Sequence, residues 1–341
     1  MKKIKVGIVG YGIVGKRRMN CITEKGYAKV VAVCDKNLSD GFLDSTNVKT
    51  FNDFNKIIEE DIDAVIVCMP NNLAHIVTMA ALKKGMHVFC EKPPGKTDLD
   101  IEKIHKFSLK NPKLKLMYGF NHRYHDSVIR ALEILKKNKL GRLISLKGVY
   151  GKSKLITFNQ PDWRTKRDIA GGGVLLDQGI HMVDLIRLFG GNFDVMSSFI
   201  SNEHWKFDVE DNAYALLKNN DNVVAMIHSS ATQWKHVFNL EINCQKGSLI
   251  LSGILSGTKS YGSEILKIII ADPNNDAGDP REEIIKYNQD NSWNRELKIF
   301  FDAIKNDKKI SSGASKDALE TMRLVYNIYK ADKAWQKKYN I

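Results

Sequence analysis

The run Gly10-Tyr11-Gly12-Ile13-Val14-Gly15 constrains this chain more than any other stretch. Residues 4–9 before it form a short, continuous apolar strand, and residues 16–26 after it have the length of a helix. In that strand-turn-helix setting, Gly-x-Gly-x-x-Gly gives each glycine a task. The first permits a tight turn, the second lets a pyrophosphate approach the backbone, and the third lets the helix press on the strand. Amides at the helix N-terminus then face the phosphates. Glycine turns are common, so the pattern alone is weak. A second strand, residues 30–34, ends in Asp35 about 20 residues further on, where a carboxylate accepts hydrogen bonds from an adenosine ribose. The pair of signals points to a dinucleotide. Asp35 favours NAD, since it would repel a 2′-phosphate, although Lys36 beside it could neutralise one and leaves NADP open.

The alternation continues. Residues 54–60 read as a helix, 64–69 as a buried strand, and 72–84 as a helix capped by Asn72 and closed by Gly85. A strand follows at 87–90, then a helix from about Leu99 behind a Thr97-x-x-Asp100 capping box, then a strand at 114–119. Strands separated by helices predict a doubly wound parallel sheet, an α/β Rossmann domain over residues 1–121. Ligands lie at the carboxyl ends of such strands, so the loops Pro70-Asn71-Asn72 and Glu91-Lys92-Pro93-Pro94 should face the cofactor. Lys92, fixed between a strand end and two prolines, has little freedom to wander.

After Asn121 the period changes. A helix at about 127–138 leads to seven strand-like segments with β alternation, 143–150, 195–201, 213–218, 223–230, 238–244, 248–251 and 265–270. Few helices separate them, which predicts a second domain, residues 122–341, of α+β class with a large, mostly antiparallel, open-faced sheet. Residues 272–279 read as a turn-rich surface loop. Two amphipathic segments, 293–305 and 315–338, read as helices that pack back towards the first domain.

Within the second domain, residues 171–189 read as one helix opened by three glycines and stopped by Gly190-Gly191. It is apolar on most sides, yet Asp177, His181 and Asp184 fall at i, i+4 and i+7, within roughly 60° of each other at about 100° per residue. That is one polar stripe on a helix that should be largely buried. Asp-x-x-x-His could supply two ligands to a metal, but no third and fourth ligand accompany it, so no metal is expected.

Composition narrows the function classes. No run of 18 apolar residues is present, so no membrane-spanning helix is expected. The opening Met-Lys-Lys imitates a leader, but glycines interrupt the apolar stretch and Lys16-Arg17-Arg18 follows it, so it reads as mature structure. Five cysteines without a Cys-x-x-Cys pair fit small core residues in a reducing cytoplasm. The net charge of +13 comes from scattered lysines without an aromatic-interleaved cluster, which argues against nucleic acid and for attraction of an anionic small substrate. Lys152, Lys154, Arg164, Lys166 and Arg167 all fall in the long segment before the polar stripe.

The chain resembles the glucose-fructose oxidoreductase, inositol dehydrogenase and MocA (Gfo/Idh/MocA) oxidoreductase family over nearly its full length. The matching pieces are residues 6–15 with Asp35, Met69-Pro70-Asn71-Asn72, Glu91-Lys92-Pro93, Tyr118-Gly119-Phe120-Asn121-His122-Arg123-Tyr124, Asp162-Trp163-Arg164, and Gly171-Gly172-Gly173 through Asp177-Gln178-Gly179-Ile180-His181. Pro94-Gly95 departs from the small or apolar residues many relatives carry there. The resemblance implies a nicotinamide cofactor, a sugar, cyclitol or nucleotide-sugar substrate, and a homodimer or homotetramer formed through the open sheet. It implies Lys92, Asp177 and His181 as the catalytic set. It extends the cofactor set to Gly10, Gly12, Ile13, Val14, Gly15, Asp35, Lys36, Met69, Pro70, Asn72, His75, Glu91, Lys92, Asn121, Trp163 and Arg164, and places Arg123, Tyr150 and Arg164 with the catalytic set at the substrate. The residue types fit that chemistry. Oxidising a secondary hydroxyl needs a base, for which histidine has the suitable pKa; a cation at the oxygen, which Lys92 offers; and an orienting acceptor, which Asp177 offers. The expectation is an NAD(P)-dependent hydride transfer on a sugar that carries a phosphate or nucleotide, with a free sugar or cyclitol as the alternative. The rival of another class is a non-catalytic NAD- or sugar-sensing regulator that keeps the fold.

Overall fold

In the computed structural model, Val6, Ile8 and Val9 are entirely buried, as a strand covered on both faces requires. The structure describes all residues except 1–2, 45, 156–161, 257–259, 273 and 275–277. The chain forms two compact units, Met1–Asn121 with Trp293–Leu319, and His122–Ser292 with Glu320–Ile341. Residues 293–319 thus group with the first unit, and residues 320–341 with the second.

The first unit is built on seven strands, β1 (Lys5–Val9), β2 (Lys29–Cys34), β3 (Gly41–Phe42), β4 (Lys49–Phe51), β5 (Ala64–Val67), β6 (His87–Glu91) and β7 (Leu116–Gly119). They lie in the order β3-β4-β2-β1-β5-β6-β7, all pairs parallel except β3 with β4. The helices between them are α1 (Ile13–Lys25), α2 (Phe54–Ile58), α3 (Asn71–Lys83) and α4 (Asp98–Lys110). The Thr97 hydroxyl and Asp100 carboxylate close the expected capping box on α4. Three details differ from the sequence reading. Helix α1 starts at Ile13, inside the glycine run, because Gly12 already has extended backbone and serves as its N-cap. Pro70, not Asn72, precedes α3, and Asn72 lies within the helix. The short strands β3, at the sheet edge, and β4, next to it, carry too few residues to show a period.

Arg18 of α1 is fully buried, with Nε 2.6 Å from Glu91 Oε1 and Nη2 2.5 Å from Glu296 Oε1. Its guanidinium also lies over the rings of Phe89 at 4.6 Å and Trp293 at 4.1 Å. Two carboxylates and two aromatic faces are what a desolvated guanidinium needs. Residues 293–319 are thereby tied to the sheet of their own unit.

The second unit carries eight strands, β8 (Leu143–Gly151), β9 (Asp194–Ser201), β10 (Asn212–Lys218), β11 (Val224–Ser230), β12 (Val237–Cys244), β13 (Gly247–Ser252), β14 (Glu264–Ile270) and β15 (Arg281–Tyr287). Their order is β15-β14-β13-β12-β8-β11-β10-β9, antiparallel except for the central β8–β11 pair. Alternate residues of β12, Phe238, Leu240, Ile242 and Cys244, are buried, the period of two that a one-sided sheet imposes. Strand β15 is an addition, since its Arg-Glu-Glu start hides it; part of the loop expected at 272–279 lies outside the described residues. Helices α5 (Asp126–Lys136), α6 (Arg167–Ala170) and α7 (Ile180–Gly190) belong to this unit. Gly148 of β8 meets Met182 so closely that a Cβ there would stand 2.6 Å from its side chain, which brings α7 down onto the sheet. The opposite apolar positions Met196, Phe199, Leu216 and Ile284 are exposed.

Helix α8 (Ser292–Lys305) is followed by α9 (Ser315–Ala331) and α10 (Lys333–Tyr339), so the expected 315–338 helix is two. Asp332 breaks it, its carboxylate accepting the Trp335 amide at 3.0 Å as the N-cap of α10. Among the described residues, one segment is long and apolar enough to cross a membrane, Arg167–Gly190 at mean hydropathy 1.2, and it is core, with 89% of that stretch buried.

A buried ion pair gives the second unit a pH signature. Glu264 Oε2 lies 2.7 Å from His125 Nδ1 and Oε1 accepts the Ser127 amide at 2.9 Å. Burial opposes the charge of Glu264, but the His125 contact and the Ser127 bonds outweigh it and hold the carboxyl below its ordinary 4.5. A depressed folded-state value contributes stability above the unfolded value, and that contribution is lost as pH falls through the folded one. Urea midpoints should therefore drop below about pH 4.5, and Glu264→Gln should flatten that part of the curve; an unchanged slope would remove the pair from the acid response.

Candidate active site

In the first unit, the glycine turn has the shape a pyrophosphate needs. Gly10 sits at φ +93°, where a Cβ would fall 2.3 Å from the Cys68 carbonyl oxygen, and a Cβ on Gly15 would fall 2.0 Å from that of Gly10. Gly12 differs, with nothing within 4 Å of its Cβ direction, so its face is open. It caps α1 without a side-chain hydrogen bond, which leaves the first-turn amides around Ile13 and Val14 facing that opening. Asp35, at the end of β2, accepts the Tyr11 amide at Oδ2 (2.9 Å) and the Asn37 amide at Oδ1 (3.0 Å), so its carboxylate is fixed beside the turn, with Lys36 exposed next to it. A dinucleotide fits these residues.

Other expected cofactor residues of this unit have their own neighbours. Met69 and Pro70 lead into α3, and His75 Nε2 on that helix lies 3.6 Å from Asp100 Oδ1. Glu91 ends β6 with its carboxylate committed to Arg18. Lys92 follows, half-buried, and is joined to Pro93 by a cis peptide bond. Asn121 is buried at the start of a single 3₁₀ turn, Asn121–Tyr124.

In the second unit the structure departs from one continuous helix. Helix α6 ends at Gly171, φ +80°, and residues 171–173 bend before a π turn, Leu175–Gly179, which runs into α7. Fully buried Glu210 fixes the bend, Oε2 accepting the Gly173 amide at 2.7 Å, Oε1 the Leu175 amide at 3.0 Å and the Tyr329 hydroxyl at 2.7 Å. Burial pushes this carboxyl up, against the Tyr329 and Gly173 bonds. Side chains cannot replace the glycines here, since a Cβ at Gly173 would lie 2.1 Å from the Glu210 carbonyl oxygen and one at Gly172 would lie 2.2 Å from the Tyr329 hydroxyl.

The π turn carries Asp177, whose Oδ2 lies 3.2 Å from Lys152 Nζ and whose Oδ1 lies 3.3 Å from Arg164 Nε. Lys152 also donates to the Leu155 carbonyl at 3.0 Å, and the Arg164 guanidinium rests 4.4 Å over the Trp163 ring. One turn on, His181 stacks on His122 with centroids 3.7 Å apart, and His122 Nε2 lies 3.1 Å from the Tyr150 hydroxyl. Tyr261 packs on Tyr150 at 5.3 Å, and His236 lies between Ser153 (3.1 Å) and Ser260 (2.9 Å). Burial pushes both phenols up and His236 down; the Asp177 charge adds to the first effect and Lys152 to the second. Together these groups make a polar wall of donors and acceptors, suited to a polyhydroxylated ring.

Asp184, the third residue of the stripe, is engaged away from Asp177 and His181: Arg123 donates Nε at 2.7 Å and Nη2 at 2.6 Å to its carboxylate, and Thr321 adds a hydroxyl at 3.1 Å. Arg123, expected at the substrate, is 5% exposed and closes this buried pair. Of the five loop cations, Arg167 lies on Tyr339 at 4.2 Å, while Lys154 and Lys166 are exposed. His122, Tyr261 and His236 join this wall without being among the expected residues: His122 lies within the Tyr118–Tyr124 stretch, and the other two sit in loops without a pattern. Among the described residues, no group of three or more metal-ligating side chains occurs.

The family profile described as "Oxidoreductase family, NAD-binding Rossmann fold" matches residues 4–120, and the "GFO/IDH/MocA C-terminal domain" profile matches residues 128–250. Glucose-6-phosphate 3-dehydrogenase from Bacillus subtilis is 25% identical over 340 residues, covering 92% of this chain and 96% of that one. Levoglucosan dehydrogenase from Pseudarthrobacter phenanthrenivorans is 28% identical over 219 residues, covering 59% of this chain but only 55% of that enzyme. Among solved structures, levoglucosan dehydrogenase with NADH superposes with a TM-score of 0.84 at 19% identity, covering 97% of each chain. A 3-ketoreductase from Actinomadura kijaniata, in complex with TDP-benzene and NADP, gives 0.77 at 18% identity, covering 97% of this chain and 98% of that one.

Proposed function

The chain belongs to the Gfo/Idh/MocA oxidoreductase family, and from that premise we propose that it transfers a hydride between a nicotinamide cofactor and a secondary hydroxyl or ketone of a sugar. The observation that carries this reading is Asp177 held between Lys152 and Arg164, one turn before His181. A bound nicotinamide supplies the acceptor, or in reverse the donor, of the hydride. In the oxidative direction the C–H bond gives up hydride, the O–H proton passes to a ring nitrogen of His181, and a C=O bond forms. The ammonium of Lys92 stabilises the alkoxide as charge develops on the oxygen. Asp177, paired with Lys152 and Arg164, accepts from a neighbouring hydroxyl and sets the ring's orientation. A regulator without catalysis would have no need to keep this set.

The substrate we favour is a sugar carrying a phosphate or nucleotide. The net charge of +13, exposed Lys154 and Lys166, and a relative named glucose-6-phosphate 3-dehydrogenase, aligned over 92% of the chain, support it. Turnover of matched free, phosphorylated and nucleotide-linked sugars at low and high salt tests it. For a charged substrate kcat/KM should fall as salt rises, and equal, salt-independent turnover of free sugars would leave a neutral sugar or cyclitol. For the cofactor, calorimetric titration should show tighter NAD than NADP, and Asp35→Ala should narrow the gap; tighter NADP in the parent contradicts the role given to Asp35. Assembly through the exposed sheet face and a cytoplasmic location complete the proposal.

A further inference from the structure

We propose that His122 and His181 titrate as one unit, with His122 a positioning residue that decides when His181 is ready to take a proton; this rests on His181 being the base of the proposed reaction. The two imidazoles lie face to face, centroids 3.7 Å apart and planes 11° from parallel, with only 7% and 5% of the residues exposed. Two positive charges at that spacing repel enough, at an effective dielectric of about 20, to disfavour the second proton on the order of 10³-fold, and still several-fold in a water-like medium. The pair therefore carries one proton over a wide pH range, and its protons leave in two macroscopic steps that belong to the pair.

Three neighbouring groups bear on the pair. Tyr150 meets His122 Nε2 at 3.1 Å, and burial keeps its phenol neutral, so it serves as a hydrogen-bond partner without charge. His125 approaches the His122 ring edge-on at 5.5 Å, but its own Nδ1 is bound to Glu264. Asp177 is balanced by Lys152 and Arg164. With a proton on His122, His181 faces a cation and its uptake of a hydroxyl proton is opposed. With His122 neutral, the π face of that ring receives the imidazolium that His181 becomes.

Ring Cε1–H NMR titration of the full chain, with histidine labelled, tests this without substrate. The parent should give biphasic curves at both rings, the steps between about one and about three pH units apart. His122→Phe keeps an aromatic face without a titrating nitrogen and should leave His181 a single step; His122→Gln serves the same purpose should the phenylalanine variant fail to fold. In kcat/KM profiles the acid limb of the parent should steepen beyond first order at low pH, and that of His122→Phe should not. Independent single-step curves in the parent, or an unchanged His181 curve in the variant, would overturn the coupling. Coupling without sugar turnover would sustain the pair and sink the dehydrogenase reading, and turnover without coupling would do the reverse.

Discussion

His181→Ala should lower kcat by about 10²- to 10⁴-fold while the variant still binds cofactor, the loss usual for a positioned acid or base. His181 sits at the start of α7, one turn beyond Asp177, and is 5% exposed against His122. Lys92→Ala should fall in the same range by removing the charge that stabilises the reacting oxygen. The two variants belong to different units, so cofactor titration on each separates loss of chemistry from loss of binding. Near-parental turnover by purified His181→Ala would take His181 out of the mechanism.

Arg123→Met should destabilise the protein by about 3–5 kcal/mol, because it leaves the Asp184 carboxylate buried without its bidentate cation. Melting should shift down on the order of ten degrees. Arg123→Met with Asp184→Leu should recover much of the loss, since an apolar replacement of both partners removes the stranded charge. If the single variant melts within a degree of the parent, the pair is not the anchor described. The experiment also separates the two carboxylates of α7 and its π turn, because Asp177 variants should lose activity with a smaller loss of stability.

The fold was legible where the chain's chemistry is local. The glycine run with Asp35 and the Thr97-Asp100 capping box each announce themselves within a few residues, and the structure has both. Strands β3 and β4 were hidden because nothing in two or three residues such as Gly41-Phe42 reveals a period, and the edge strand β15 because it opens on charge. The site was half legible. The stripe of Asp177, His181 and Asp184 follows from an ideal helix, whereas the bend before the π turn is held by Glu210, 37 residues beyond Gly173, and the Asp184 carboxylate is taken by Arg123. Long-range partners of this kind, like Glu296 for Arg18, 278 residues apart, leave no trace in a local pattern.

That same dependence orders the way the molecule comes into being. The bend that sets the π turn is held by Glu210 from β10's leading edge and by the Tyr329 hydroxyl, which lies 119 residues further along the chain. A chain emerging from the ribosome therefore exposes Asp177 and His181 long before the groups that fix their backbone exist. The segment would mature last, after the sheet beneath it, and a ligand competent to recognise it should be recruited only to the finished protein. Pulsed hydrogen exchange during refolding would show the amides of Gly173 and Leu175 acquiring protection after those of β12 and β13.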